Sequence, residues 1–260
     1  MRIYERLTRW QQRRKMRSWA AADPRAHDLY LVEFPKSGMT WLSTLVANMA
    51  LSEAGSAQRV TYFNVQNYVL DIHMAQGRAL GPSLLPVLPQ RVIKSHHRQN
   101  PYYQNVVYLV RHPVAVMRSM INYLPQTRGY PMTQEDVLND PLMGIEAWRR
   151  HVRGWLIDAS MSWQRLHLMR YDSLVSDARS ELGLLVENLG WPISDDAITQ
   201  AIENASVEHM KTSEQLYRRM NPAYKMAFVK GATDELSTSA KARIAEACRE
   251  ELTLLGYEDA

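Results

Sequence analysis

Cysteine is nearly absent: Cys248 is the single thiol in 260 residues. An intrachain disulfide is therefore excluded, as is a zinc or iron–sulfur cage built on several thiolates, and the expected setting is a reducing one, the cytoplasm. Long apolar runs are missing too. Nothing approaches the roughly 20 apolar residues of a membrane-spanning helix, and the N-terminal stretch lacks the apolar core of about 7–15 residues found in a cleaved signal. Neither secretion by such a signal nor membrane spanning is expected. Glycine and proline number only 11 and 12, and 46% of residues are hydrophobic; this balance excludes collagen-like, low-complexity and wholly disordered chains. No internal repeat or Gly/Ser-rich linker divides the sequence, so a single domain is expected. His27, His73, His112, His151, His167 and His209 show no metal-ligand spacing. They read as surface or hydrogen-bonded structural groups, and no metal is expected.

The charge that is present is unevenly placed. The formal total is +4, but residues 1–20 hold seven basic side chains against Glu5, a local +6 that leaves residues 21–260 at −2. A diffuse basic surface for nucleic acid is not what this distribution describes. Residues 1–28 read as a basic N-terminal arm and residues 29–260 as the main domain. Ile3, Leu7 and Trp10 fall on one side if the arm is helical, so it could pack on its own domain or make peripheral contact with a membrane surface.

Leu29–Phe34, bounded by Asp28 and Pro35, reads as a buried strand. Leu42, Leu45, Val46 and Met49 then recur at helical spacing up to Gly55, giving a strand–loop–helix unit. Further strands are expected at 91–94, 105–111 and 166–170, and helices near 114–123, 141–157, 174–189, 195–203 and 238–255. In the last helix Ile244, Cys248, Leu252 and Leu255 share one face, which makes Cys248 a core residue rather than a nucleophile. The fold class is α/β: one domain of three layers around a mainly parallel sheet, with ligands at the carboxyl ends of the strands.

The loop after the first strand reads Pro35-Lys36-Ser37-Gly38-Met39-Thr40-Trp41. Glycine lets a ligand approach the backbone, the amides that open the next helix face outward, and Lys36, Ser37 and Thr40 add charge and donors. A phosphate fits this loop; alone, it could equally be a plain turn with a solvated lysine. The nucleoside-triphosphatase order GxxxxGK[ST] is absent, because Lys36 precedes the glycine. The 105–110 strand ends in Arg111, where such enzymes place an acid for magnesium. A nucleotide kinase is therefore the weaker alternative. Arg111 is free to take an anion bidentately, Pro113 suits a helix's first turn, and Ser119 follows two turns later.

Together these segments resemble the sulfotransferases that use 3′-phosphoadenosine 5′-phosphosulfate (PAPS), particularly the soluble cytosolic-type branch. PKSGMTW resembles that family's 5′-phosphosulfate loop, PKSGTTW. Residues 106–123, VVYLVRHPVAVMRSMINY, resemble its 3′-phosphate segment. Arg91–His96 is similar to its IKTH stretch, Trp148–Trp155 to its SWxxHVxxW helix, Leu166–Leu174 to a strand followed by YEDL, and Phe228–Gly231 to its RKG element. The likeness runs in order from about residue 29 to 255. It implies a P-loop-like sulfotransferase fold in which Lys36, Ser37, Gly38, Met39 and Thr40 hold the 5′-phosphosulfate and Trp41 packs on adenine. It further implies that Arg111 and Ser119 take the 3′-phosphate, Tyr171 contacts adenine, and Lys230 with Gly231 closes over the 3′-phosphate. His96 would be the general base, with Lys36 and Lys94 assisting at the departing bisphosphate.

Some positions depart from the family pattern. Met39 replaces a threonine, Val207 stands where an aromatic is usual and leaves Ser206 as the carried-over residue, and Val229 replaces the arginine before Lys230. The usual GDW and the dimerisation motif are missing, so neither donor affinity nor oligomeric state follows from the resemblance. A non-catalytic nucleotide-binding protein on the same scaffold is the other alternative. His96 has two rivals as base. His97 would point to the opposite face of an extended segment, and Glu33, on a buried strand, reads as an ion pair with a nearby lysine or arginine. Thr61–Tyr68, Tyr102, Tyr103 and Tyr123–Tyr130 bring aromatics near these motifs. In the family such regions line the acceptor pocket, which suits a phenol, a sterol-like alcohol or a saccharide.

Overall fold

The computed structural model describes residues 23–75, 78–100, 102–157, 163–222 and 235–257. Residues 1–22 of the basic arm and the Lys230–Gly231 element lie outside the described residues. Five parallel strands form the centre: β1 (Leu29–Glu33), β2 (Leu70–Asp71), β3 (Val92–Ser95), β4 (Asn105–Val110) and β5 (Arg165–Arg170), in the order β2-β3-β1-β4-β5. The first strand is therefore central, and the chain winds outward from it on both sides. That topology leaves a crevice at the carboxyl ends of β3, β1 and β4, where the loops part in opposite directions.

Strands covered on both faces must be apolar at every position. Leu29 and Leu31 of β1 and Val107 and Leu109 of β4 face one cluster, while Tyr30, Val32, Val106, Tyr108 and Val110 face the other. The first cluster is closed by α1 (Met39–Glu53), α6 (Tyr171–Ser176), α7 (Ala178–Leu189) and α8 (Asp195–Asn204). The second is closed by α3 (Pro113–Arg128), α4 (Gln134–Leu138), α5 (Ile145–Leu156), α10 (Thr238–Ala247) and α11 (Arg249–Leu254). Three elements remain among the described residues: a short 3-10 turn (Val65–Asn67) before β2, α2 (Ile72–Ala75) directly after β2, and α9 (Val207–Met220) after α8. The result is the expected three-layer α/β fold. Among the described residues, no helix is long and apolar enough to cross a membrane.

Several boundaries differ from the sequence reading for local reasons. The helix expected at 174–189 is two, because Asp177 leaves helical geometry and its carboxylate accepts the Ser180 amide at 3.0 Å, capping α7. The 238–255 helix is likewise divided at Cys248, although Ile244, Cys248 and Leu255 stay buried as expected. Helix α3 runs past 123 through Pro125 and stops at Gly129, whose φ of 76° provides a left-handed cap. The opposite, amino-terminal edge of the sheet is clasped by Arg91, whose buried guanidinium meets Asp28 at 2.6 Å and Asp23 at 2.8 Å.

Candidate functional site

Four strands deliver their chemistry at the residue or loop just beyond their carboxyl ends. Beyond β1, Lys36 adopts φ 74° and Gly38 φ 113°, so the loop turns tightly and α1 opens at Met39. A left-handed lysine is a strained conformation, of the kind retained where a loop must take one shape. Arg111, beyond β4, donates to the Lys36 carbonyl at 3.3 Å and ties the loop to the neighbouring strand tip. Its guanidinium lies 4.4 Å from the ring centre of Tyr171, the first residue after β5. Tyr171 in turn meets Trp41 edge-to-face, with centroids 6.0 Å apart. The indole of Trp41 donates to the Ala205 carbonyl at 3.1 Å.

The donor side of this cradle is incompletely satisfied by protein. Ser37 Oγ is buried without a hydrogen bond, as is Arg111 Nε, and the amides of Gly38 and Thr40 donate to no group among the described residues. Buried donors converging beside a helix N-terminus suit an anion rich in acceptor oxygens. Lys36 is half-buried with Nζ 4.6 Å from the ring centre of Tyr123. Burial lowers its pKa; Glu33 opposes that shift, and Arg111 and Lys94 reinforce it.

The acid–base side lies beyond β3. The pairing of Val32 with Ser95 brings the next residues, Glu33 and His96, alongside each other. Glu33 is 3% exposed; its Oε2 accepts the Met39 amide at 2.7 Å and its Oε1 lies 3.6 Å from His96 Nδ1. Burial pushes the Glu33 carboxyl up to about 7 despite the Met39 hydrogen bond and the pull of Lys94, Lys36 and Arg111. Among the described residues Glu33 does not make the expected ion pair with a lysine or arginine; its near partners are an amide and an imidazole. Burial, then Lys94, His73 and His151, holds His96 well below the ordinary histidine value, so its ring is neutral, as a base must be at neutral pH.

His97 goes elsewhere. Its Nδ1 is 3.0 Å from the Tyr103 hydroxyl, and its carbonyl accepts the Trp155 indole at 3.1 Å. Lys94 pairs with Asp71 across β2 and β3 at 3.4 Å and acts on His96 and Lys36 through its field. Ser119 stands half-buried on α3. Ser206 caps α9, its hydroxyl accepting the His209 amide at 3.4 Å, and reaches the cradle only through the neighbouring Ala205–Trp41 contact.

His73, a surface or structural residue on sequence alone, belongs here. Its Nε2 accepts the His96 amide at 2.9 Å and its ring stacks on His96 at 5.3 Å. The sequence carries no signal for this because β2 and α2 are too short to show periodicity. His151 is the expected hydrogen-bonded structural histidine, with Nδ1 2.9 Å from the Tyr108 hydroxyl. The expected acceptor aromatics divide. Tyr103 is core, stacked on Tyr30 at 3.7 Å, whereas Phe63 stacks on Tyr217 of α9 at 4.1 Å. A separate cleft of about 420 Å³ between the end of α1 and the start of α8 contains none of the cradle residues.

A family model described as "Sulfotransferase domain" matches residues 26–256. Among curated proteins, Sulfotransferase 1B1 of Mus musculus is 26% identical over 204 residues, covering 71% of this chain and 65% of that protein. Sulfotransferase 2B1 of Rattus norvegicus is 23% identical over 221 residues, covering 80% and 63%. The chain thus spans somewhat under two thirds of the length of these relatives. Among solved structures, mouse sulfotransferase SULT7A1 complexed with PAP has a TM-score of 0.59 at 19% identity, covering 88% of this chain and 85% of that one. Retinol dehydratase in a complex with retinol and PAP has a TM-score of 0.62 at 16% identity, covering 89% and 82%. The folds agree, and with a family model matching nearly its whole length the chain belongs to the sulfotransferase domain family.

Proposed function

We propose that this chain transfers the sulfuryl group of PAPS to the hydroxyl of a small-molecule or saccharide acceptor. The observation that carries this reading is the convergence, beyond four parallel strands, of an under-satisfied anion cradle with a neutral, buried-edge histidine. The relatives' names and the PAP complexes of the structural neighbours support it. Lys36, Ser37, Gly38, Met39 and Thr40 would hold the 5′-phosphosulfate, Arg111 and Ser119 the 3′-phosphate, and Trp41 and Tyr171 the adenine, with Ser206 near its edge. The role of Lys230 and Gly231 over the 3′-phosphate falls outside the described residues. The free donors of Ser37, Arg111, Gly38 and Thr40 fit such a doubly anionic nucleotide.

PAPS supplies an electrophilic sulfur on a good leaving group. The protein's tasks are then two. Lys36 and the loop amides stabilise charge growing on the departing 5′-phosphate oxygen, with Lys94 adding its field. His96 takes the acceptor's proton as the acceptor oxygen bonds to sulfur and the sulfur–phosphate oxygen bond breaks, its electron pair leaving with the bisphosphate. Proton, sulfuryl group and leaving group are all accounted for, and no metal enters the scheme.

The test is transfer of labelled sulfate from PAPS to a panel of phenols, sterols and saccharides by the wild-type chain and by His96→Ala. Wild-type transfer with a loss of about 10²–10⁴-fold in the variant is expected, with 3′,5′-bisphosphoadenosine binding retained. Binding of the bisphosphate without transfer to any acceptor would favour a non-catalytic nucleotide-binding protein.

A further inference from the structure

Glu33 ends the central strand, on the face that Leu29 and Leu31 give to the core. A carboxylate at such a position is costly unless something accepts its charge or its hydrogen-bonding capacity. Here the two oxygens are divided. Oε2 takes the amide that opens α1, at the positive end of the helix, and Oε1 faces His96 Nδ1 at 3.6 Å. On its other side the His96 segment is held by His73, through the 2.9 Å bond to the His96 amide and the stacked ring. The imidazole thus lies between a histidine ring and a carboxylate, its buried Nδ1 near that carboxylate but not hydrogen-bonded to it, and the same carboxylate grips the phosphate loop.

We propose that Glu33 is a positioning residue that holds His96 as the Nδ1–H tautomer, leaves Nε2 to receive the acceptor's proton, and links that ring to the phosphate loop through the Met39 amide. This rests on the reading of His96 as the base. An imidazole with its Nδ1 proton turned to a carboxylate has a fixed orientation, and the imidazolium formed during transfer is stabilised where it forms. The groups facing the pair are Lys36 from the loop, Lys94 from β3, Tyr108 from β4, Arg111 beyond it, His73 from α2 and His151 from α5. The cations draw Glu33 toward its ionised form while burial opposes them, and the carboxyl ionises at about 7. His96, held low, stays neutral through that range. The acid limb of kcat/KM is therefore expected near pH 7 and belongs to Glu33.

Glu33→Gln makes a sharp test. The carboxamide has one acceptor oxygen, which the Met39 amide claims, so its NH2 turns to His96 Nδ1 and selects the opposite tautomer. In the ¹⁵N-labelled full chain with 3′,5′-bisphosphoadenosine added, long-range ¹H–¹⁵N correlation should show His96 protonated on Nδ1 in wild type and on Nε2 in Glu33→Gln. The variant should bind the bisphosphate within about threefold of wild type, lose roughly 10²–10⁴-fold in kcat, and lose the limb near pH 7. In a His96→Ala background, Glu33→Gln should cost little more. A wild-type His96 protonated on Nε2 overturns the proposal whatever the variant does, as does an unchanged tautomer in Glu33→Gln. Normal transfer by His96→Ala combined with the expected tautomer switch would remove His96 as base and still support the Glu33–His96 link.

Discussion

Gly38 lies directly against the Tyr171 ring: a Cβ built on Gly38 would overlap two of its carbons. The glycine lets the first residue after β5 lie directly on the phosphate loop, with Arg111 against that same ring. Two constraints coincide, because the φ of 113° at Gly38 is also unfavourable for any residue with a side chain. Gly38→Ala should therefore lose about 1–2 kcal/mol of stability from the backbone alone, a melting shift of several degrees. Bisphosphate affinity should fall at least tenfold as Tyr171 is displaced. Adding Tyr171→Ala should relieve part of the stability loss, and differential scanning fluorimetry on the single and double variants measures it. A double variant as unstable as the sum of its parts would contradict the steric explanation.

Arg111 distinguishes one adenine nucleotide from another. If its free guanidinium edge takes the 3′-phosphate, Arg111→Ala should weaken 3′,5′-bisphosphoadenosine by roughly 10–150-fold, the range for hydrogen bonds to charged groups. Adenosine 5′-monophosphate, which lacks only the 3′-phosphate, should be nearly unaffected. Because Arg111 also supports the Lys36 carbonyl, equal losses for both ligands in titration calorimetry would assign it to loop support instead.

The thiol of Cys248 should be inert in the native protein. It is fully buried, and burial, helped by the nearby Glu251, pushes its pKa up to about 12. Reaction with a thiol reagent at pH 8 should be negligible under native conditions and complete, at one equivalent, in denaturant. Prompt labelling of the folded chain would mean that the region around α10 and α11 opens readily.

What the sequence made legible was whatever is encoded over a short span. The run Leu29–Phe34 announced a strand covered on both faces, and the order of lysine and glycine in the next loop separated it from a nucleoside-triphosphatase loop. Arg111 at a strand tip was visible for the same reason. Helix α9 was not, since only Met210 and Glu214 of its fourteen residues are buried and no apolar stripe forms; the cap at Ser206 was its one local signal. Glu33 shows the limit most clearly. Its burial followed from the strand, but its partners came from register: only the alignment of β1 with β3 places His96 beside it, and only the turn at Gly38 returns the Met39 amide to its other oxygen. His73 entered the site through the same kind of pairing, by way of β2.

Glu33 should also leave a mark on stability that is separate from catalysis. Its folded pKa is raised from 4.5 to about 7, so between those values the native state holds a proton that the unfolded chain has released. Unfolding free energy then falls as pH rises through this window, by roughly 1.4 kcal/mol per pH unit and about 3 kcal/mol in all as an upper bound. His96 works in the opposite sense: held low in the folded state, it makes stability rise with pH up to about 6.5. The two overlap, so the wild-type profile alone does not isolate either. The difference between wild type and Glu33→Gln does, because the amide keeps the Met39 hydrogen bond, carries no titrating group, and turns His96 to its other neutral tautomer without adding a charge. Denaturant unfolding at a series of pH values should show Glu33→Gln gaining on wild type from pH 5 to 8 and level with it in slope above that. A constant difference across the range would mean that the native carboxyl titrates as it does in the unfolded chain.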